Sequence, residues 1–207
     1  MKHVFLVLFL GVFSLSLNGQ EKQTVKKNQG VFNITEIGYL PGTGNIKYDG
    51  YSVANDARTY RLRSIFGYFI NPHLSFGIGI GLDGYHEPDH NTMPLFLECR
   101  GYLKDQRNTF YGFADVGKAL NANETFTPGL FLNAGVGYKF FLTKRWCINT
   151  SLGYNFQQMQ NIDMIEYVFD QDTGEYYYNL KQIDIQMKAI SCNLAFHFNL
   201  FTPGRRN

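Results

Sequence analysis

Between Leu74 and Asp83 the chain alternates without interruption: Leu74, Phe76, Ile78, Ile80 and Leu82 share one parity, Ser75, Gly77, Gly79, Gly81 and Asp83 the other. Successive side chains of an extended chain point to opposite sides, so this period of two dictates a strand with one apolar and one small or polar face. The pattern recurs. Over 60–70, Tyr60, Leu62, Phe66, Tyr68 and Ile70 oppose Arg61, Arg63 and Gly67. Over 93–103, Met93, Leu95, Leu97 and Leu103 oppose Glu98, Arg100 and Tyr102. Over 130–142, Leu130, Leu132, Val136, Tyr138, Phe140 and Leu142 oppose Asn133, Gly135, Gly137 and Lys139. Over 146–157, Trp146, Ile148, Leu152, Tyr154 and Phe156 oppose Asn149, Ser151, Gly153, Asn155 and Gln157. Weaker forms at 31–40, 109–120 and 185–199 bring the expectation to about eight strands of ~10 residues or more, the size of a small membrane barrel.

The connections alternate as well. Those at 71–73, 104–108 and 143–145 are tight and polar, whereas 41–56, 84–92, 121–128 and 158–184 are long. Short turns on one rim and long loops on the other are the layout of an outer-membrane barrel, and an even strand number returns both termini to the short-turn side. Within the longest connection, Ile162–Phe169 and Tyr176–Ile185 flank Asp170-Gln-Asp-Thr-Gly-Glu175 and read as a hairpin that carries the last two strands beyond the membrane.

Which face lies outside separates two all-β readings. Charged residues are 17% of the 207, below the roughly 25% of soluble domains. The face opposite the apolar one is mostly Gly, Ser and Asn, poor cover for a solvated surface. Tyr60, Tyr68, Tyr85, Tyr102, Phe110, Tyr138, Phe140, Trp146, Phe196 and Phe198 gather near strand ends, as interfacial girdles do. In a bilayer every backbone polar group must pair internally, which for strands requires closure. The expected fold is therefore all-β, an antiparallel up-and-down transmembrane barrel with its apolar face outward. A soluble exported β-barrel binding protein is the rival. A formal net charge of +2 without a Lys/Arg cluster argues against nucleic acid. Cys99 and Cys192 share the apolar parity and Cys147 the other, on different strands, so a disulfide framework is not expected.

The start of the chain reads as an address. Met1-Lys2-His3 is basic, Val4–Phe13 is apolar, and small and polar residues follow up to Gln20, the layout of a cleaved signal peptide over 1–19. A periplasmic N-terminal segment (20–30), the barrel (31–200) and a C-terminal tail (201–207) complete the expected organisation.

The leader ending Asn18-Gly-Gln-Glu21, the hairpin Gly67-Tyr-Phe-Ile-Asn-Pro-His-Leu-Ser-Phe-Gly-Ile-Gly79 and the stretch Gly135-Val-Gly-Tyr-Lys-Phe-Phe-Leu142 resemble the small outer-membrane β-barrel proteins of Bacteroidetes, OmpA/OmpX-like eight-stranded barrels. The resemblance covers the mature chain and rests on pattern. It implies an outer-membrane location, contact with outer-membrane lipids and lipopolysaccharide, and engagement of the barrel-insertion machinery during biogenesis. Families of this kind share a fold and a place rather than one function.

If the Gly-rich face lines the lumen, Arg61, Arg63, Asp83, Glu98, Arg100, Asp115 and Lys139 lie inside. About eight strands leave an interior just wide enough for side chains to fill. A hairpin about 71–73 sets Arg61 opposite Asp83, and one about 104–108 sets Asp115 opposite Glu98 or Arg100. Buried charges are costly unless paired, so the set reads as a salt-bridge network filling a polar lumen; a narrow path for ions or small solutes is the alternative. Lys118 falls on the lipid face near a strand end, within snorkelling reach.

His86-Glu87-Pro88-Asp89-His90 matches the zinc motif H-E-x-x-H literally, but Pro88 breaks the helix that the motif needs and no third ligand is evident. His86, Asp89, His90 and Ser52 share the long-loop rim, where a lipid A or lipopolysaccharide enzyme would keep its catalytic groups, yet nothing in their spacing selects them. No catalytic residue, metal or cofactor is assigned. Tyr167, Tyr176, Tyr177 and Tyr178 on the long hairpin offer an edge or aromatic face to an extracellular protein or glycan. The functional expectation is a non-enzymatic outer-membrane barrel, structural or acting through its external loops.

Overall fold

The computed structural model describes residues 28–48, 51–86, 91–105, 108–121, 127–143, 145–169 and 176–200. Its strands are β1 (Gly30–Pro41), β2 (Asn45–Tyr48), β3 (Tyr51–Ala54), β4 (Arg58–Asn71), β5 (Leu74–His86), β6 (Asn91–Tyr102), β7 (Thr109–Asn121), β8 (Thr127–Phe141), β9 (Trp146–Phe169) and β10 (Tyr176–Asn199). β1 and β4 through β10 form a closed antiparallel barrel in which each strand pairs with its neighbours in sequence and β1 closes on β10. β2 and β3 are a separate hairpin inside the first long connection.

The short turns and both barrel ends lie together. Gly30 pairs with Phe69 beside the 71–73 turn, and Asn199 pairs with Phe32. At that turn the Asn71 side chain accepts the His73 amide proton at 2.8 Å, the local bond that makes Asn a turn residue. The long-connection rim carries β2–β3 and a ribbon formed where β9 and β10 outrun the barrel, paired as far as Phe169↔Tyr176. A bulge between Ile183 and Ile185 marks the exit, where Asn161 takes φ 55° and its amide donates to Asp184. Asn is among the few side chains that tolerate this conformation.

The outside of the wall is apolar all round. Ile37, Leu62, Ile78, Leu97, Val116, Val136, Leu152 and Leu194, one from each barrel strand, are all 41% exposed or more. A belt of this extent would be a severe liability in water and matches the lipid-facing band of a transmembrane barrel. Aromatic pairs border it. Phe110–Tyr138, Tyr138–Phe140 and Trp146–Phe198 sit 4.5–4.7 Å apart by ring centroids at the short-turn end, and Tyr39–Tyr60 sit 5.5 Å apart at the other. Lys118 is exposed on the lipid side near the end of β7, and Cys99, Cys147 and Cys192 are free.

Tyr85 and Tyr102 do not join the girdles. They are 5% and 4% exposed and turn inward, because their parity places them with Asp83 and Arg100. The interior is also less polar than the alternation implies: Phe32, Ile34, Ile65, Phe69, Phe96, Phe113 and Phe131 are buried in it. The inward glycines make room for these rings. A Cβ at Gly79 would strike the Phe96 ring, and one at Gly67 the Phe32 ring. The glycine face is thus half of a knob-and-socket packing, not a bare polar lining.

Candidate functional site in the barrel lumen

The lumen is where the chain concentrates its chemistry. Among the described residues, the buried ionic groups are Glu36, Arg61, Arg63, Asp83, Glu98, Arg100, Asp115 and Lys139, four carboxylates against four cations. β4 supplies Arg61 and Arg63 on one parity, and β5 sets Asp83 directly across from Arg61. Arg61 donates from Nε and Nη2 to the two oxygens of Asp83 at 2.9 and 2.7 Å, and Nη2 also reaches Asn155 Oδ1 at 2.8 Å. This two-pronged geometry is the strongest form of a guanidinium–carboxylate contact.

Arg63 spans the barrel. Its Nη1 donates to Asp115 Oδ2 on β7 at 3.1 Å while Nη2 stands 3.8 Å from Asp83 Oδ2. Its guanidinium carbon lies 4.7 Å from the ring centres of both Phe96 and Phe131, so the cation contacts two adjoining aromatic rings. Asn133 donates to Asp115 at 2.8 Å and accepts from Ser191 at 3.1 Å. A connected polar layer therefore joins β4, β5, β7, β8, β9 and β10 through side chains alone.

Asp115 faces Glu98 across the β6–β7 ladder, which would set two carboxylates side by side. The conflict is relieved separately for each. Glu98 is held by Arg100 on its own strand, Nε to Oε1 at 2.8 Å and Nη2 to Oε2 at 2.7 Å, and Asp115 is held by Arg63. Arg100 also approaches Glu36 at 4.0 Å and lies 5.0 Å from the Tyr111 ring.

Toward the short-turn end Lys139 is enclosed by Phe69, Tyr102 and Phe141, with Nζ 5.0, 5.2 and 4.7 Å from their ring centres. Nζ donates to Asn28 Oδ1 at 3.0 Å and lies 3.4 Å from His197 Nε2. Asn28 in turn donates to the Pro72 carbonyl at 3.0 Å. Asn28 is fully buried, so the end of the segment read as periplasmic (20–30) contributes a side chain to the short-turn end of the lumen. Toward the opposite rim Ala57, Tyr85, Met159, Ile162, Ile185 and Met187 close the lumen with an apolar cluster against which Ile46 of the small hairpin packs. Asn55 helps hold this cap, donating to the Lys188 carbonyl at 2.8 Å.

Sequence reasoning passed over Glu36 and Asn28, and it placed Asn133, Asn155 and His197 on the inner face without giving them a part in the charge network. For Glu36 the missing signal has a cause: β1 buries Phe32, Ile34 and Leu40 on the parity of Glu36 and turns Asn33 and Thr35 outward together with Ile37 and Tyr39, so neither parity reads as the apolar one. Of the rim residues, His86 is exposed on the outer side of β5 and Ser52 is exposed on β3, while Glu87–His90 lie outside the described residues. Among the described residues no three His, Cys, Asp or Glu side chains converge as metal ligands. Tyr178 is 71% exposed on the ribbon. Tyr167, Tyr176 and Tyr177 belong to its paired backbone, and their side chains lie outside the described residues, as do the leader (1–19) and the tail (201–207).

Solved structures share this architecture. The outer membrane protein OprG from Pseudomonas aeruginosa superposes with a TM-score of 0.52 at 12% identity, covering 84% of this chain and 99% of that one. Neisserial surface protein A superposes with a TM-score of 0.51 at 12% identity, covering 83% of this chain and 100% of that one. The fold is that of a small outer-membrane β-barrel. No family model matches the sequence, and no curated protein matches it.

Proposed function

We propose that the chain is a non-enzymatic outer-membrane β-barrel, exported by its signal peptide, whose lumen is a structural plug and whose activity lies on its outer surface. The observation that carries this reading is the pairing of an all-round apolar exterior with an interior of four carboxylates and four cations, the three arginines each paired with a carboxylate, interleaved with aromatic rings. Such an interior fixes strand register: a one-residue slip would turn every lumen charge to the lipid. The external partners are lipid and lipopolysaccharide along the wall and a protein or glycan at the β9–β10 ribbon.

The test is fractionation followed by electrophoresis of heated and unheated samples in SDS. The reading expects the protein in the detergent-extracted outer membrane, with a heat-dependent mobility shift. Recovery in the soluble fraction without a shift would overturn it.

A further inference from the structure

The lipid-facing wall carries a notch. β5 and β6 pair rung by rung from Leu74↔Gly101 to Ile80↔Leu95, and pairing resumes at Asp83↔Thr92 and Gly84↔Asn91. The rungs of Gly81 and Leu82 against Met93 and Pro94 are missing, and Pro94 has no N–H with which to make one. Beside this gap lies an open cleft of about 460 Å³, lined by Arg61, Asp83 and Thr92 of the inward parity and by Tyr60, Leu62, Leu82, Gly84 and Asn91 of the outward one. Gly84 is its open floor: a Cβ there would meet only Asn91 Oδ1 at 3.3 Å and Tyr60 O at 3.9 Å.

The chemistry is layered along the bilayer normal. Above the cleft Arg58 and His86 oppose one another across the β4–β5 ladder, and both are exposed. Tyr60, which pairs with Tyr39 in the outer girdle, stands at the level of the floor. Leu62 and Leu82 lie below, 49% and 55% exposed. Cation, amide and aromatic ring over aliphatic wall is the complement of a phosphorylated headgroup above an acyl chain. Arg recognises phosphate by its planar fork, and basic side chains near a membrane surface attract anionic lipid.

We propose that this notch binds an outer-leaflet lipid whose headgroup carries phosphate, with the phosphate at Arg58 and His86 and an acyl chain seated across Gly84 onto Leu62 and Leu82. The site rests on the outer-membrane reading above. It gives the wall a specific lipid position next to the two rungs that the β5–β6 ladder lacks.

The experiment is native mass spectrometry of the full chain in mild detergent, titrated with diphosphoryl lipid A and, as an uncharged acyl control, diacylglycerol. The wild type should retain diphosphoryl lipid A and release diacylglycerol. Gly84→Leu fills the floor with a strand-compatible side chain and should weaken lipid A retention about tenfold, the equivalent of 1.4 kcal/mol. Arg58→Gln should weaken it about fivefold, following the roughly 1 kcal/mol attributed to one basic residue at a membrane surface. Equal retention of lipid A by wild type and Gly84→Leu, or equal retention of both lipids by the wild type, would overturn the site. The heat-dependent mobility shift is recorded on the same samples: a shift with no effect of Gly84→Leu sinks the notch alone, and loss of the shift in the wild type sinks the membrane reading as well.

Discussion

The cations of the lumen are buried by two different means. Arg61, Arg63 and Arg100 each lie within ion-pair distance of a carboxylate, and Asp83 serves two of them at once. Lys139, nearer the short-turn rim, is held by three aromatic rings, His197 and the amide of Asn28; none of its polar partners among the described residues is a carboxylate. The arginine layer ties together strands that are far apart in the ring, so its removal is felt by the whole wall. The lysine layer ties the entering chain to the floor of the barrel, so its removal is felt locally. One fold thus combines a layer of carboxylate-paired arginines with a lysine held by rings, an imidazole and an amide.

The largest test of that contrast is Asp83→Ala, which leaves Arg61 without a carboxylate and Arg63 with Asp115 alone. Removing one partner of a buried pair costs about 3–5 kcal/mol, and the urea midpoint for unfolding from lipid vesicles should fall accordingly; an unchanged midpoint would mean the pair is solvated. The exterior offers a control of similar size. Leu97 is 59% exposed near the middle of β6, and Leu97→Arg should cost about 2–4 kcal/mol in the same assay. A loss below 1 kcal/mol at Leu97, the cost expected only near the interfaces, would deny that this face meets the bilayer core.

Asn28→Ala probes the lower layer. It removes a hydrogen bond to a charged group, worth about 1.5–3 kcal/mol, and should also raise the rate at which a protease cuts the N-terminal segment. Protection equal to wild type would show that Asn28 does not anchor that segment. The smallest expected effect is Lys139→Met. A well-packed apolar replacement of a buried ion is often neutral or stabilising, so its urea midpoint should stay within about 1 kcal/mol of wild type, against the large loss for Asp83→Ala. Equal losses for the two variants would erase the distinction.

Much of this was legible in the residues because a barrel wall imposes a period of two. The outward band on β4, β5, β6, β8 and β9, the opposition of Arg61 to Asp83, and the extension of the last hairpin all follow from parity and turn placement. The aromatic half of the interior escaped, because Ile65, Phe69, Phe96 and Phe131 are apolar residues on the polar parity. Only the sockets opposite them, such as Gly79 beneath Phe96, explain why they fit. β1 escaped further. Its outward Asn33 donates to Ser64 Oγ at 3.1 Å and to the Ile65 carbonyl at 3.2 Å, and it accepts from Thr35 at 3.4 Å, so a polar group is satisfied on the lipid side and masks the parity that would have revealed Glu36. The aromatic cage of Lys139 and the reach of Asn28 are products of closure, since they join residues that lie far apart in the chain.

The central claim is that the barrel spans a membrane with its lumen closed by side chains. It is tested most directly by recording the purified full chain in a planar lipid bilayer after its insertion has been verified by the heat-dependent mobility shift. The account predicts an insulating bilayer for the inserted wild type. Steady, ohmic conductance steps from the same preparation, altered by Arg100→Ala or Asp115→Ala, would contradict it and make the charge network the lining of a pore.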